Sequence, residues 1–141
     1  MILLTEVYAG FKTAWDTYTP SITGGTVPPV RYDGERSITR PLPAVTWVEA
    51  RSRLDDASQI SLANDTGIRL FKRSGKVELS IRVPTTQTFG ALLVDVAKQS
   101  FQGQVTPGGV RFRNVRAIEV GLDGPWFQWD VVADFEYDEL V

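Results

Sequence analysis

Apolar residues along this chain switch repeatedly between helical and strand spacing. Leu4, Val7, Tyr8, Phe11 and Trp15 fall three and four apart, which puts them on one face of a helix with Glu6, Lys12 and Asp16 off that face. Gly10 costs such a helix about 1 kcal/mol relative to Ala, so burial of the stripe must supply its stability. Thr19-Pro20 reads as the stop. From Pro20 to Pro43 the breakers Gly24-Gly25, Pro28-Pro29, Asp33-Gly34, Pro41 and Pro43 mark a Pro/Gly-rich loop, with a short strand near Val30–Tyr32. Ala44 to Arg53 has strand character on both faces, which suits a central position.

Leu54 to Asn64 has no clean period and its polar residues predict an excursion between strands, and the segment Leu54 to Gly67 is expected to order only against a partner. Gly67–Arg73 and Lys76–Val83 read as a hairpin turned at Ser74-Gly75, with Val77, Leu79, Ile81 and Val83 facing the core. Pro84 ends that arm. Thr85 or Thr86 then caps a helix with the stripe Phe89, Leu92, Leu93, Val96, Ala97 and Phe101, running to about Ser100. Val110–Leu122 and Trp126–Tyr137 form an antiparallel pair across Asp123-Gly124-Pro125, with Phe127, Trp129, Val131, Ala133, Phe135 and Tyr137 on one face. The order predicts one α+β domain over residues 1–141, with two helices on one face of a largely antiparallel sheet.

Composition narrows the chemistry. A chain of 141 residues, 43% hydrophobic, can bury one core, and 15 basic against 17 acidic residues name no partner by bulk charge. Without Cys or His, disulfides, thiolate or imidazole ligands and His-based triads are excluded. Asp55-Asp56 with Asp65 lacks the spacing of a calcium loop, and neither Gly24-Gly25 nor Pro107-Gly108-Gly109 leads into a phosphate-binding motif. The aromatics of the last strand could stack bases, but their same-face spacing favours a core. The expectation is no enzyme, no cofactor and no metal. With no basic leader or spanning apolar run, the chain is expected to be soluble and made in the cytoplasm.

The run Arg73-Ser74-Gly75-Lys76-Val77 into Ile81-Arg82-Val83-Pro84, the helix Phe89 to Phe101, Val110-Arg111-Phe112, and Gly124-Pro125-Trp126-Phe127-Gln128 ahead of Phe135-Glu136-Tyr137 resemble the tail-terminator family of long-tailed bacteriophages. The resemblance spans roughly Trp47 to Tyr137 and leaves the Pro20–Pro43 loop unassigned. It implies a structural virion protein, located at the neck end of the tail and assembled in the host cytoplasm. Six copies would form a ring that caps the tail tube, stops its polymerisation and joins it to the head connector. The implied partners are further copies of the chain, the tube protein and the head-side connector. No membrane and no sequence-specific nucleic acid are implied, although such a ring leaves room for DNA to pass. Another neck or tube component, or a small host binding module, is the alternative.

Charge is distributed unevenly. Eleven of the basic residues lie between Arg51 and Arg116, whereas 117–141 holds seven carboxylates and no Lys or Arg. Solvated strand faces would explain this. An assembling subunit would instead use Arg51, Arg53, Arg69, Lys72 and Arg73 against Asp130, Asp134, Glu136 and Asp138 of its neighbour, with Asp55 and Asp56 at the same interface, in head-to-tail contacts that close into a ring.

Overall fold

The computed structural model describes residues 3–32, 45–62 and 69–140. The elements are α1 (Leu3–Thr23), β1 (Val30–Arg31), β2 (Trp47–Leu62), β3 (Arg69–Pro84), α2 (Gly90–Phe101), β4 (Arg111–Asp123) and β5 (Trp126–Leu140). The strands form one sheet in the order β1-β2-β3-β5-β4, antiparallel except for the two-residue pairing of β1 with β2. Both helices join one apolar cluster with a single face of this sheet, the α+β arrangement expected from the element order.

The α1 stripe is buried, with Val7, Tyr8, Phe11 and Trp15 each at most 6% exposed, and Phe11 stacks on Phe101 of α2 at 6.0 Å. The helix does not stop at Thr19-Pro20 but runs one turn further. Pro20 forfeits only the hydrogen bond that would reach back to the exposed Asp16. Thr19 is buried, and its Oγ1 donates to the carbonyl of Trp15 at 2.5 Å. Gly24, at φ +87°, then reverses the chain, and the Gly25 N–H donates to the Pro20 carbonyl at 2.8 Å, a Schellman closure. The returning segment is tied down by Trp15 Nε1 donating to Pro28 O at 2.9 Å and Val48 N–H to Pro29 O at 2.9 Å. Asp33-Gly34, Pro41 and Pro43 lie outside the described residues.

The segment expected to be a polar excursion is instead strand: β2 continues to Leu62, paired with β3 through irregularities at Leu54/Asp56 and Gln59/Ser61. Each added residue shifts the pleat, which erases a period of two in the sequence without ending the ladder. The predicted turn at Ser74-Gly75 is also corrected, since β3 runs straight through it and the connection between β2 and β3 falls within 63–68, outside the described residues. Gly75 is there for close approach. A Cβ at this position would lie 2.1 Å from Arg53 O and 2.7 Å from Phe135 Cζ.

Val77, Leu79, Ile81 and Val83 are at most 1% exposed, and their β5 partners Ala133, Val131, Trp129 and Phe127 share that face. At the outer corner Phe127 and Trp129 are half-buried and pack on one another at 4.5 Å. Helix α2 begins later than expected, with Phe89 at its N-cap position and no side-chain cap from Thr85 or Thr86. Packing sets this start, because Gly90 sits so close to Trp129 that a Cβ would lie 2.3 Å from the indole. The buried stripe is accordingly Gly90, Leu93, Val94, Ala97 and Phe101, and Leu92 is 55% exposed. The β4–β5 hairpin turns at Gly124-Pro125 as predicted, with Gly124 at φ +60°.

Candidate interaction surface

The sheet face away from the helices carries most of the charge, because strand alternation sends Glu49, Arg51, Lys76, Glu78, Asp134 and Glu136 there once the other face is committed to the core. These charges pair within the chain. Arg51 contacts Glu49 Oε1 at 2.7 Å and Glu78 Oε1 at 3.0 Å. Glu136, only 9% exposed, accepts from Lys72 Nζ at 2.8 Å, Arg113 Nη2 at 2.5 Å and Arg111 Nε at 3.4 Å. The Lys72 hydrogen bond above all, with Arg113 and Arg111 beside it, holds the Glu136 carboxyl below its ordinary value, against the opposing effect of burial. Arg111 also reaches Asp138 at 3.4 Å, and Arg116 reaches Asp134 at 3.7 Å.

Of the acidic and basic residues singled out in the sequence, Lys72 and Glu136 meet within one subunit, while Arg51, Asp134 and Asp138 pair with other charges of that subunit. Lys72 and Arg73 lie on β3, an interior strand flanked by β2 and β5. Lys72 is in register with Asp138, and Arg73 with Tyr137. Arg51 and Arg53 are exposed on β2, and Asp130 sits between Ser80 on β3 and Ile118 on β4, where Gln128 Nε2 donates to it at 2.9 Å. Asp55, Asp56 and Arg69 have strand positions, but their side chains, like Asp65 altogether, lie outside the described residues.

A second group was not foreseen. At the end of the charged face nearest the β4–β5 turn, Trp47, Arg82 and Trp126 are all at most 7% exposed. The Arg82 guanidinium lies 4.5 Å over the Trp47 ring, and its Nε donates to Asp123 Oδ2 at 2.8 Å. Trp126 meets Trp47 edge-on at 6.0 Å, and its Nε1 donates to Val45 O at 2.8 Å. Stacking on indole and pairing with a carboxylate offset the desolvation of the arginine. The alternation of charged and apolar residues in β3 hid this cluster, because Arg82 reads as a solvent-facing position.

The remaining feature is the sheet's edges. On β4, Ile118, Val120 and Leu122 are 49%, 51% and 75% exposed, on a strand that, among the described residues, pairs only with β5 beyond its first residues. Those first residues are covered, by an isolated bridge of Arg111 with Val105 and by Phe112 N–H donating to Gln104 O at 3.3 Å. At the opposite edge β1 covers only Val48 and Glu49, so among the described residues β2 is open from Ala50 to Leu62. Long open edges with apolar side chains favour pairing with another chain.

Among the described residues no group of three metal-ligating side chains converges, and no helix is long and apolar enough to cross a membrane. No protein-family model and no curated protein matches the sequence. Nine solved chains do match the fold. One of them, a protein bearing no functional name, superposes with a TM-score of 0.58 at 12% identity over 96% of each chain, a likeness of fold alone.

Proposed function

We propose that this chain is the tail terminator of a long-tailed bacteriophage. Copies form a ring, six in the family it resembles, that covers the growing end of the tail tube and stops polymerisation by steric capping. The opposite surface of the ring then receives the head-side connector. The ordered residue pattern from Arg73 to Tyr137 supports this reading. The structural observation that carries it is the pair of sheet edges left open among the described residues, which suit a subunit that works by joining copies of itself. Its work is assembly, carried out at the neck end of a virion tail built in the host cytoplasm.

Solution mass and electron microscopy of the purified protein, alone and with tail tubes, test this. The expected result is a ring that binds one end of a tube, and, when the gene is removed, tails of uncontrolled length that fail to join heads. Normal tail length and normal joining without the protein would overturn the proposal. A monomer that leaves tubes untouched would point instead to a host binding module.

A further inference from the structure

We infer that two copies of this chain pair through β4 about a two-fold axis normal to the sheet, joining edge to edge with Ile118 facing Ile118. This goes beyond the ring reading and does not depend on it.

Every residue of β4 is described with its side chain, and Ile118, Val120 and Leu122 stand 49%, 51% and 75% exposed. The strap over its first residues, Val105 bridged to Arg111 and Gln104 O accepting from Phe112 N–H, ends there. Among the described residues the outer edge is therefore open from Arg113 to Asp123. Ile118 is the midpoint of that stretch. Arg113 and Asp123 lie four rungs of the β5 ladder to either side of it, opposite Asp134 and Trp126, with Ile118 opposite Asp130.

The charge of β4 changes sign at the same point: Arg113 and Arg116 precede Ile118, and Glu119 and Asp123 follow it. Such a strand complements an antiparallel copy of itself. With the axis at Ile118, Arg113 faces the partner's Asp123 on the charged side of the sheet, and Val115 faces the partner's Leu122 on the helix side, each twice by symmetry. Arg113 is 65% exposed at its side chain while touching Glu136, and Asp123 keeps Oδ2 on Arg82 Nε. The irregularities at Arg113/Arg116 and Glu119/Gly121 then face ordinary residues of the partner, Leu122 and Arg116, and not each other. Moving the axis one rung towards the C-terminus sets Glu119 against Glu119. Moving it one rung the other way runs Leu122 and Asp123 onto Phe112 and Arg111, where the strap already lies. A two-fold pair closes at two copies, so it competes with any head-to-tail contact through the same edge and is the form expected of the chain away from a tube.

Because the chain has no cysteine, the contact can be read by cross-linking. Ile118→Cys, gently oxidised, should give a covalent dimer about tenfold faster or more than Tyr18→Cys, a control at a 59% exposed position on α1. A mixture of Ala117→Cys and Glu119→Cys should cross-link faster than either alone, which fixes the register. Without these changes the protein should have the mass of a dimer, and Ile118→Lys should raise its dissociation constant about tenfold or more with an unchanged far-ultraviolet spectrum. A wild-type monomer at every concentration would overturn the inference, as would Ile118→Cys cross-linking no faster than the control. A ring-sized wild-type assembly that keeps its mass in Ile118→Lys would also overturn it and leave the ring reading standing. A dimer that Ile118→Lys dissociates, from a protein that never caps a tube, would uphold it and remove the ring reading.

Discussion

Gly75→Ala is the sharpest probe of how β2, β3 and β5 fit together. An added methyl would sit 2.1 Å from the Arg53 carbonyl oxygen and 2.7 Å from the Phe135 ring, both far inside van der Waals contact. The ring is 2% exposed and has little room to turn, and the carbonyl belongs to the ladder beside the irregularity at Leu54/Asp56. Relief therefore requires the strands to separate locally. Overpacking of this kind costs about 1–3 kcal/mol, and the backbone contact puts the expected loss at the upper end. Restricting the unfolded chain returns about 0.4–1 kcal/mol, so the net destabilisation should be about 2 kcal/mol. For a chain of this length the unfolding entropy is roughly 0.3 kcal/mol per kelvin, which translates to a fall in Tm of about 7 °C. Urea unfolding followed by tryptophan fluorescence, with thermal melts in parallel, measures it. A Gly75→Ala protein within about 0.5 kcal/mol of wild type would mean that Ser74-Gly75 is not inside a paired strand.

Gly10→Ala should do the opposite: the new methyl meets only Ser100 O at an ordinary 3.6 Å, and a helix interior gains about 0.5–1 kcal/mol, visible as a rise in Tm. Glu136→Gln should cost about 1–2 kcal/mol near neutral pH, since three partly screened ion pairs are weakened together. The Glu136 carboxyl is depressed in the folded state, so its contribution is fully present above the ordinary value of 4.5 and is lost as pH falls through the folded-state value. The stability gap between wild type and Glu136→Gln should accordingly shrink below about pH 4.5, and a gap that is the same at pH 7 and pH 3 would refute the pairing.

Elements with an undisturbed period were legible in the sequence. The α1 stripe, the alternation of Val77 to Val83, the single face of β5 and the turn at Gly124-Pro125 each follow from local pattern. The misreadings share one cause, in that a local signal has more than one tertiary use. Ser-Gly marks a turn or a close approach, and only the Cβ environment of Gly75 separates the two. Phase could have helped, because Phe71 and Val77 are six apart and fit one uninterrupted strand. Pro20 marks a helix end, yet the buried Thr19 and the closure at Gly24-Gly25 carry the helix past it. The start of α2 was illegible locally, since the residue that sets it, Trp129, is nearly forty positions away. Of the candidate surface, the sequence revealed the charge segregation but not which charges share a subunit, because strand order is not written in any single strand.

That strand order changes what charge can do in assembly. β3 and β5 are neighbours, so the basic and acidic stretches neutralise one another across the sheet face of one subunit, and Glu136 alone serves three cations. A reversal at Glu136 would then act on the subunit's own stability before any ring contact is considered. Solvent-exposed pairs of this type contribute about 0.2–1 kcal/mol each and weaken with salt, which is too little to hold a ring together. Backbone pairing along an open edge and burial of Ile118, Val120 and Leu122 scale instead with contact length and apolar area. In the proposed ring, edge pairing with apolar burial would therefore supply more of the affinity than charge.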